Sequence, residues 1–154
     1  MKRIVPIIAL ISLCAILSVS CYPGGGATGG NINGPEYRIV GPWQITHTYL
    51  NGVEIDTTDY YANQPGAFYN FYADHPLEVM NYVNGQIRYS INGFWYFNDD
   101  NTKLEISRVN FMGRRYEYTA DIYKLTKREL IYDYDDADGN HWRIHMNNRS
   151  LYSY

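Results

Sequence analysis

Four dipeptides constrain what this chain can fold into more than any other feature: Asn51-Gly52, Asn84-Gly85, Asn92-Gly93 and Asp138-Gly139. Asn-Gly and Asp-Gly tolerate the positive φ values of two-residue hairpin turns, so each marks a place where a strand doubles back beside the next. The stretches between them are rich in Tyr, Trp, Phe and Ile, which suit a pleated, half-buried surface. Tyr alone supplies 17 of 154 residues. No stretch keeps a 3.6-residue apolar period over three turns, so helix is minor. The chain reads as all-β, with strands following one another antiparallel.

With those turns as boundaries, eight to nine strands are expected, near 41–50, 67–72, 77–83, 86–91, 94–97, 103–109, 115–125, 129–135 and 141–148. Alternation gives most of them one apolar face: Trp43 and Ile45; Ile87, Tyr89 and Ile91; Leu104 and Ile106; Tyr116, Tyr118, Ala120 and Ile122; Leu130, Tyr132 and Tyr134; Trp142, Ile144 and Met146. Gln44, Arg88, Glu105, Glu117, Asp133 and Arg143 fall on the opposite faces. Successive hairpins with one buried face close most economically as an antiparallel up-and-down β-barrel, which also removes exposed edges. An open two-sheet sandwich is the rival.

The amino terminus carries a second, separate signal. Lys2 and Arg3 precede an apolar run from Ile4 to Leu17, and the small residues Ser18-Val19-Ser20 stand before Cys21, the pattern of a secretory signal peptide over residues 1–20. A cysteine at the cleavage point resembles the lipobox of bacterial lipoproteins. That resemblance implies lipidation at Cys21 by diacylglycerol, with an acyl chain such as palmitate on the new amino terminus. Tyr22 rather than Asp follows Cys21, which by resemblance to enteric lipoproteins implies delivery to the outer membrane of the cell envelope. Residues 21–36 form a Gly-rich tether: positions 22–35 hold six glycines and two prolines and too little apolar surface to order themselves. A flexible segment of that length spans roughly 20 Å. The domain proper is residues 37–154.

Composition excludes several functions. The whole chain has 13 basic and 16 acidic residues; removing Lys2 and Arg3 leaves 11 against 16, a net charge of -5. Such a domain has no basic field for phosphates, and no Lys/Arg cluster exceeds Arg114-Arg115 or Lys127-Arg128, so nucleic acid is excluded. Cys14 leaves with the signal and Cys21 is the lipidation candidate, so no thiol remains for a disulfide, a metal or a nucleophile. Stability therefore rests on a core, which 134 residues can build.

Gly41-Pro42-Trp43, opening the first long strand, resembles the Gly-x-Trp motif of lipocalins. Trp43-Gln-Ile-Thr followed by Asn51-Gly52 is similar to the start of bacterial lipocalin-like lipoproteins, and Tyr118 to Tyr134 to their closing hairpins. The resemblance spans residues 37–149. It implies a lipocalin-like barrel, with Trp43 plugging one end and an arginine near the chain end packed over it. Arg149 is the positional candidate, although alternation from Trp142 places it on the other face, so the pairing requires a bulge or end twist.

A lipocalin-like barrel implies a small, largely apolar ligand in the lumen, since eight strands leave room for one molecule if side chains do not fill it. The inward tyrosines Tyr89, Tyr116, Tyr118 and Tyr132 bring hydroxyls that need partners when buried, and so suit an amphipathic ligand. If the rings simply fill the barrel, the chain is instead a lipid-anchored interaction subunit of an envelope complex. The aromatic stretches 67–72 and 94–97 then supply its surface. Nothing points to catalysis, a cofactor or a metal. There is no Gly-x-Ser-x-Gly elbow, no His-Glu-x-x-His and no phosphate loop. His141 and His145 lie about 13 Å apart on one strand, and Asp133, Asp135, Asp136 and Asp138 miss the register of a calcium loop and read as an acidic hairpin tip.

Overall fold

The computed structural model describes residues 34–56, 62–83, 86–109 and 113–150, and only the backbone of residues 82, 83 and 87–91. Cys21, the signal and all but the end of the tether lie outside the described residues. Nine strands form one antiparallel sheet: β1 (Gly41–Leu50), β2 (Val53–Ile55), β3 (Phe68–Phe71), β4 (Pro76–Val83), β5 (Gln86–Phe97), β6 (Lys103–Val109), β7 (Arg115–Leu125), β8 (Glu129–Asp135) and β9 (His141–Asn148). The order runs β2-β1-β3-β4-β5-β6-β7-β8-β9, and β9 pairs back onto β1. Eight strands thus close a barrel, and β2 adds a short extra strand beside the end of β1. The antiparallel up-and-down barrel expected from the turns is what the chain forms.

The turns acted differently from one another. Asn51 (φ 51°) and Gly52 (φ 80°) make the β1–β2 hairpin in the positive-φ region, and Gly139 (φ 80°) does the same between β8 and β9. Asn84-Gly85 lies outside the described residues. Asn92-Gly93 corrects the reading: it is no turn, and the two strands expected at 86–91 and 94–97 are one, β5. Asn92 pairs with Glu78 on one side and Val109 on the other, and Gly93 pairs with Leu77 and Arg108. Gly93 is required for close approach instead. A Cβ there would stand 2.2 Å from the Ser107 carbonyl oxygen and 2.9 Å from Arg108 Cα. Strand β5 passes β6 at a distance only a glycine permits, a device of tightly coiled barrels.

One end of the barrel is closed. Pro35 and Glu36, at the end of the expected tether, open a short helix α1 (Pro35–Ile39), with Pro in the first turn where its missing N–H is harmless. Ile39 is fully buried, its carbonyl accepts a 2.6 Å bond from Trp43 Nε1, and Arg38 Nη1 donates to Leu125 O at the end of β7. Trp43, Phe71 and Trp95, each 0–1% exposed, fill this end. Trp43, expected at one end of the barrel, is fully buried at this one.

A bulge sets the register of β1. Ile45 faces Met146 while His47 faces His145, so Thr46 is the extra residue and inward parity switches from Trp43 and Ile45 to Thr48. The middle of the barrel is packed by Leu104, Ile106, Ala120, Leu130, Ile144 and Met146, all on the faces alternation assigned.

Candidate functional site

The other end, where β6 finishes and β7 begins, holds the polar groups of the interior. Arg108 continues the inward parity of Leu104 and Ile106 and is 8% exposed. Its side chain crosses the barrel from β6 to β3, where Nη1 donates to the Tyr69 hydroxyl at 2.5 Å. Beneath the guanidinium, 5.5 Å from Cζ, lies the ring of Tyr118, and Tyr116 stands 6.0 Å away on the rim. Tyr118 stacks on Tyr134 at 3.9 Å, and Tyr134 stacks on Trp142 at 6.3 Å with 9° between the planes. The far end of this row is fixed by the hairpin between β8 and β9. Asp136 accepts bonds from the Asp138 and Asn140 amides and from Trp142 Nε1 at 2.9 Å. The acidic hairpin tip thus orients a ring of the interior.

Asn63 seals the same region from the loop before β3. Its side-chain amide donates to the Tyr134 hydroxyl at 2.6 Å, and its carbonyl accepts from Thr48 Oγ1 at 2.5 Å. The Tyr118 and Tyr132 hydroxyls are buried and make no well-formed hydrogen bond among the described residues, although they lie close to each other and to the Tyr69 hydroxyl and influence one another's titration. A buried hydroxyl without a partner costs about 1–3 kcal/mol.

The electrostatics of the cluster are one-sided. Burial pushes Tyr69, Tyr118, Tyr132 and Tyr134 above the ordinary phenol range, with the Arg108 charge pulling Tyr69, Tyr118 and Tyr134 back. All four remain neutral hydroxyls that can donate. Burial acts to lower the Arg108 value, but the surrounding tyrosine oxygens outweigh it and hold the group above the usual arginine range. Among the described residues, Arg108 is the one buried cation of the interior. None of the described ion pairs includes Arg108.

Of the tyrosines expected to converge, Tyr118 and Tyr132 do so, together with Tyr69 and Tyr134. Tyr116 is 42% exposed and stands at the rim rather than inside, because β7 has reached the barrel's end there. The Tyr89 side chain lies outside the described residues. Arg149 does not share a face with Trp43: its Nε donates to Gln44 Oε1 at 2.6 Å on the outer side of β1, as its parity with Trp142 dictates. Arg108, Tyr69 and Asn63 were not foreseen. Arg108 was signalled, since it stands two residues beyond Ile106 on the same parity.

On the outside, a groove of about 720 Å³ runs between Tyr72, Glu78, Phe94, Val109 and Arg115. Phe94 is 53% exposed there. His141 and His145 serve separate surface contacts: His141 Nδ1 meets Asp135 at 2.8 Å, whereas His145 packs its ring on Tyr49.

Compared by sequence, the chain matches no protein-family model and no curated protein. Its structure is similar to the crystal structure of a lipocalin-like protein from Bacteroides uniformis, with a TM-score of 0.51 at 13% identity, covering 72% of this chain and 98% of that one. The fold is lipocalin-like. A redesigned β-barrel is also similar, at a TM-score of 0.49 and 10% identity over 74% of this chain and 94% of that one. With closure of β9 onto β1, the first likeness bears out the lipocalin-like barrel read from Gly41, Trp43 and the hairpins.

Proposed function

We propose that this chain is a lipid-anchored lipoprotein of the cell envelope, held to the outer membrane through acyl chains on Cys21, whose lipocalin-like barrel binds one small amphipathic or hydrophobic molecule without catalysing a reaction. The observation that carries the reading is the pair of buried, unpartnered hydroxyls of Tyr118 and Tyr132 beside Arg108. A barrel closed only for stability gains nothing from them, because phenylalanine would fill the same volume without the desolvation penalty. A bound amphiphile supplies the missing partner, and the surrounding rings supply its apolar contact. Titration of a fluorescent amphiphile into the wild type and into Tyr118→Phe and Tyr132→Phe tests this. Saturable binding that weakens in both variants is expected; no saturable binding in the wild type would refute it. Lipidation is tested separately, since Cys21→Ser should release the protein to the soluble fraction, and labelled palmitate still entering the variant would contradict the anchor.

A second reading has its own support. The exposed groove at Phe94 and Tyr72 lies in the aromatic stretches that a protein partner would use, and it favours an interaction subunit of an envelope complex.

A further inference from the structure

Resting on the ligand-binding reading, we infer that the head of the bound amphiphile is a carboxylate, received by Arg108 together with the Tyr118 and Tyr132 hydroxyls. Charge balance is the first argument. A guanidinium taken out of water carries a penalty of several kcal/mol unless an anion or a full set of hydrogen bonds compensates it. Arg108 is paired with no described carboxylate, and of its five N–H donors one is committed to an oxygen of the described residues, that of Tyr69. A plug would use the adjacent phenol oxygens as acceptors for the others. Instead the Tyr118 hydroxyl accepts no well-formed bond from Arg108 although its ring lies 5.5 Å beneath the guanidinium, and among the described residues it and the Tyr132 hydroxyl have only each other and Tyr69 nearby.

Donors, not acceptors, are in surplus, and this decides the chemistry of the missing group. A guanidinium and two neutral phenols offer N–H and O–H to one point, and a carboxylate has two oxygens and about four lone-pair positions to receive them. A single negative charge also matches the single positive charge. A phosphate dianion would leave one charge uncompensated in a medium where charge is expensive. An alcohol or amide head would leave the cation unneutralised.

The direction of the molecule follows from the packing. Trp43, Phe71 and Trp95 occupy the closed end completely, so the carboxylate sits at the depth of Arg108 and the tail runs toward the rim. Tyr116, 42% exposed and 6.0 Å from the guanidinium, offers apolar surface there.

The test compares two probes with the same tail and a charged or a neutral head: dansyl-labelled undecanoic acid and its methyl ester, titrated into the full chain carrying Cys21→Ser so that no attached acyl group competes. The acid should bind about tenfold to a hundredfold tighter than the ester, the range of a charge-assisted pair in a dry site. Arg108→Met should erase the preference by weakening the acid while leaving the ester unchanged. If Arg108→Met does not fold, the Tyr118→Phe/Tyr132→Phe double variant reports instead, with an expected fall in the acid-to-ester ratio of at least about fivefold. Equal affinity for acid and ester in the wild type would overturn the carboxylate and leave the ligand-binding barrel standing. Failure of both probes to bind saturably would overturn the two together.

Discussion

Two Tyr→Phe substitutions that look alike should move stability in opposite directions. Tyr69 and Tyr132 are both fully buried in the barrel and both keep their ring volume as phenylalanine. The Tyr69 hydroxyl accepts the 2.5 Å bond from Arg108 and lies 3.5 Å from Asn63 Oδ1. Removing it strips a buried cation of its described hydrogen bond, and a bond to a charged group is worth about 1.5–3 kcal/mol. The Tyr132 hydroxyl makes no well-formed bond among the described residues, so its loss relieves a desolvation penalty and should stabilise the empty barrel by roughly 1 kcal/mol. The two variants should therefore differ by about 3 kcal/mol in urea denaturation, with unchanged m-values as evidence that the fold is intact. The gain at Tyr132 should come with weaker amphiphile binding, as when a site trades stability for function. Destabilisation of more than about 1 kcal/mol in Tyr132→Phe would refute the reasoning, since it would mean that the hydroxyl has a partner inside the protein.

Three further outcomes are expected. Trp43→Ala should lose about 3–5 kcal/mol in the same assay, because the ring is fully buried and its Nε1 ties α1 to the barrel. Gly93→Ala should lose about 1–3 kcal/mol or more, since its Cβ would meet a backbone oxygen at 2.2 Å where 3.4–4 Å is ordinary contact; a neutral result by thermal melting would mean that β5 and β6 can part freely there. Acid should destabilise the fold in two stages. His145 is held below the usual histidine value by burial and by His47 and Arg143, and Asp133 below the usual carboxylate value by its bonds to Arg143. Groups lowered on folding stabilise above their unfolded values and lose that contribution as pH falls through the folded ones. Stability should thus be flat from about pH 7 to about pH 9, decline through the histidine range and decline again through the carboxylate range, with Asp133→Asn shrinking the second step, to which Asp136 and Asp100, also held below the usual carboxylate value, contribute the rest.

The fold was legible because its signals are local. Alternation placed Trp43, Leu104, Ile106, Tyr132 and Ile144 on the buried face, and Asn51-Gly52 and Asp138-Gly139 marked true hairpins. Asn92-Gly93 misled because glycine serves two physical ends. A positive-φ turn and a close strand crossing look the same in sequence, and only the nearness of Ser107 separates them. The cap α1 is five residues long and held by Trp43 and Leu125, far along the chain, so its own residues announce little beyond Pro35. Half of the candidate site was visible, since Tyr118 and Tyr132 follow from parity. Arg108 shares the inward parity of Leu104 and Ile106, but an arginine on a strand has the sequence signature of a solvated face. Tyr69 lay in a run, Phe68 to Tyr72, that is aromatic on both faces and gives alternation nothing to separate. Asn63 comes from a loop that has no period at all.

The claim at the centre of this account is that the barrel holds one small molecule against Arg108 and its tyrosines. Native mass spectrometry of the protein carrying Cys21→Ser, purified from its own host without detergent, measures this directly. The account predicts a single added mass that is released on denaturation, behaves as an amphipathic compound and is lost from Arg108→Met. A protein of bare polypeptide mass that also fails to take up any amphiphile supplied in excess would contradict it.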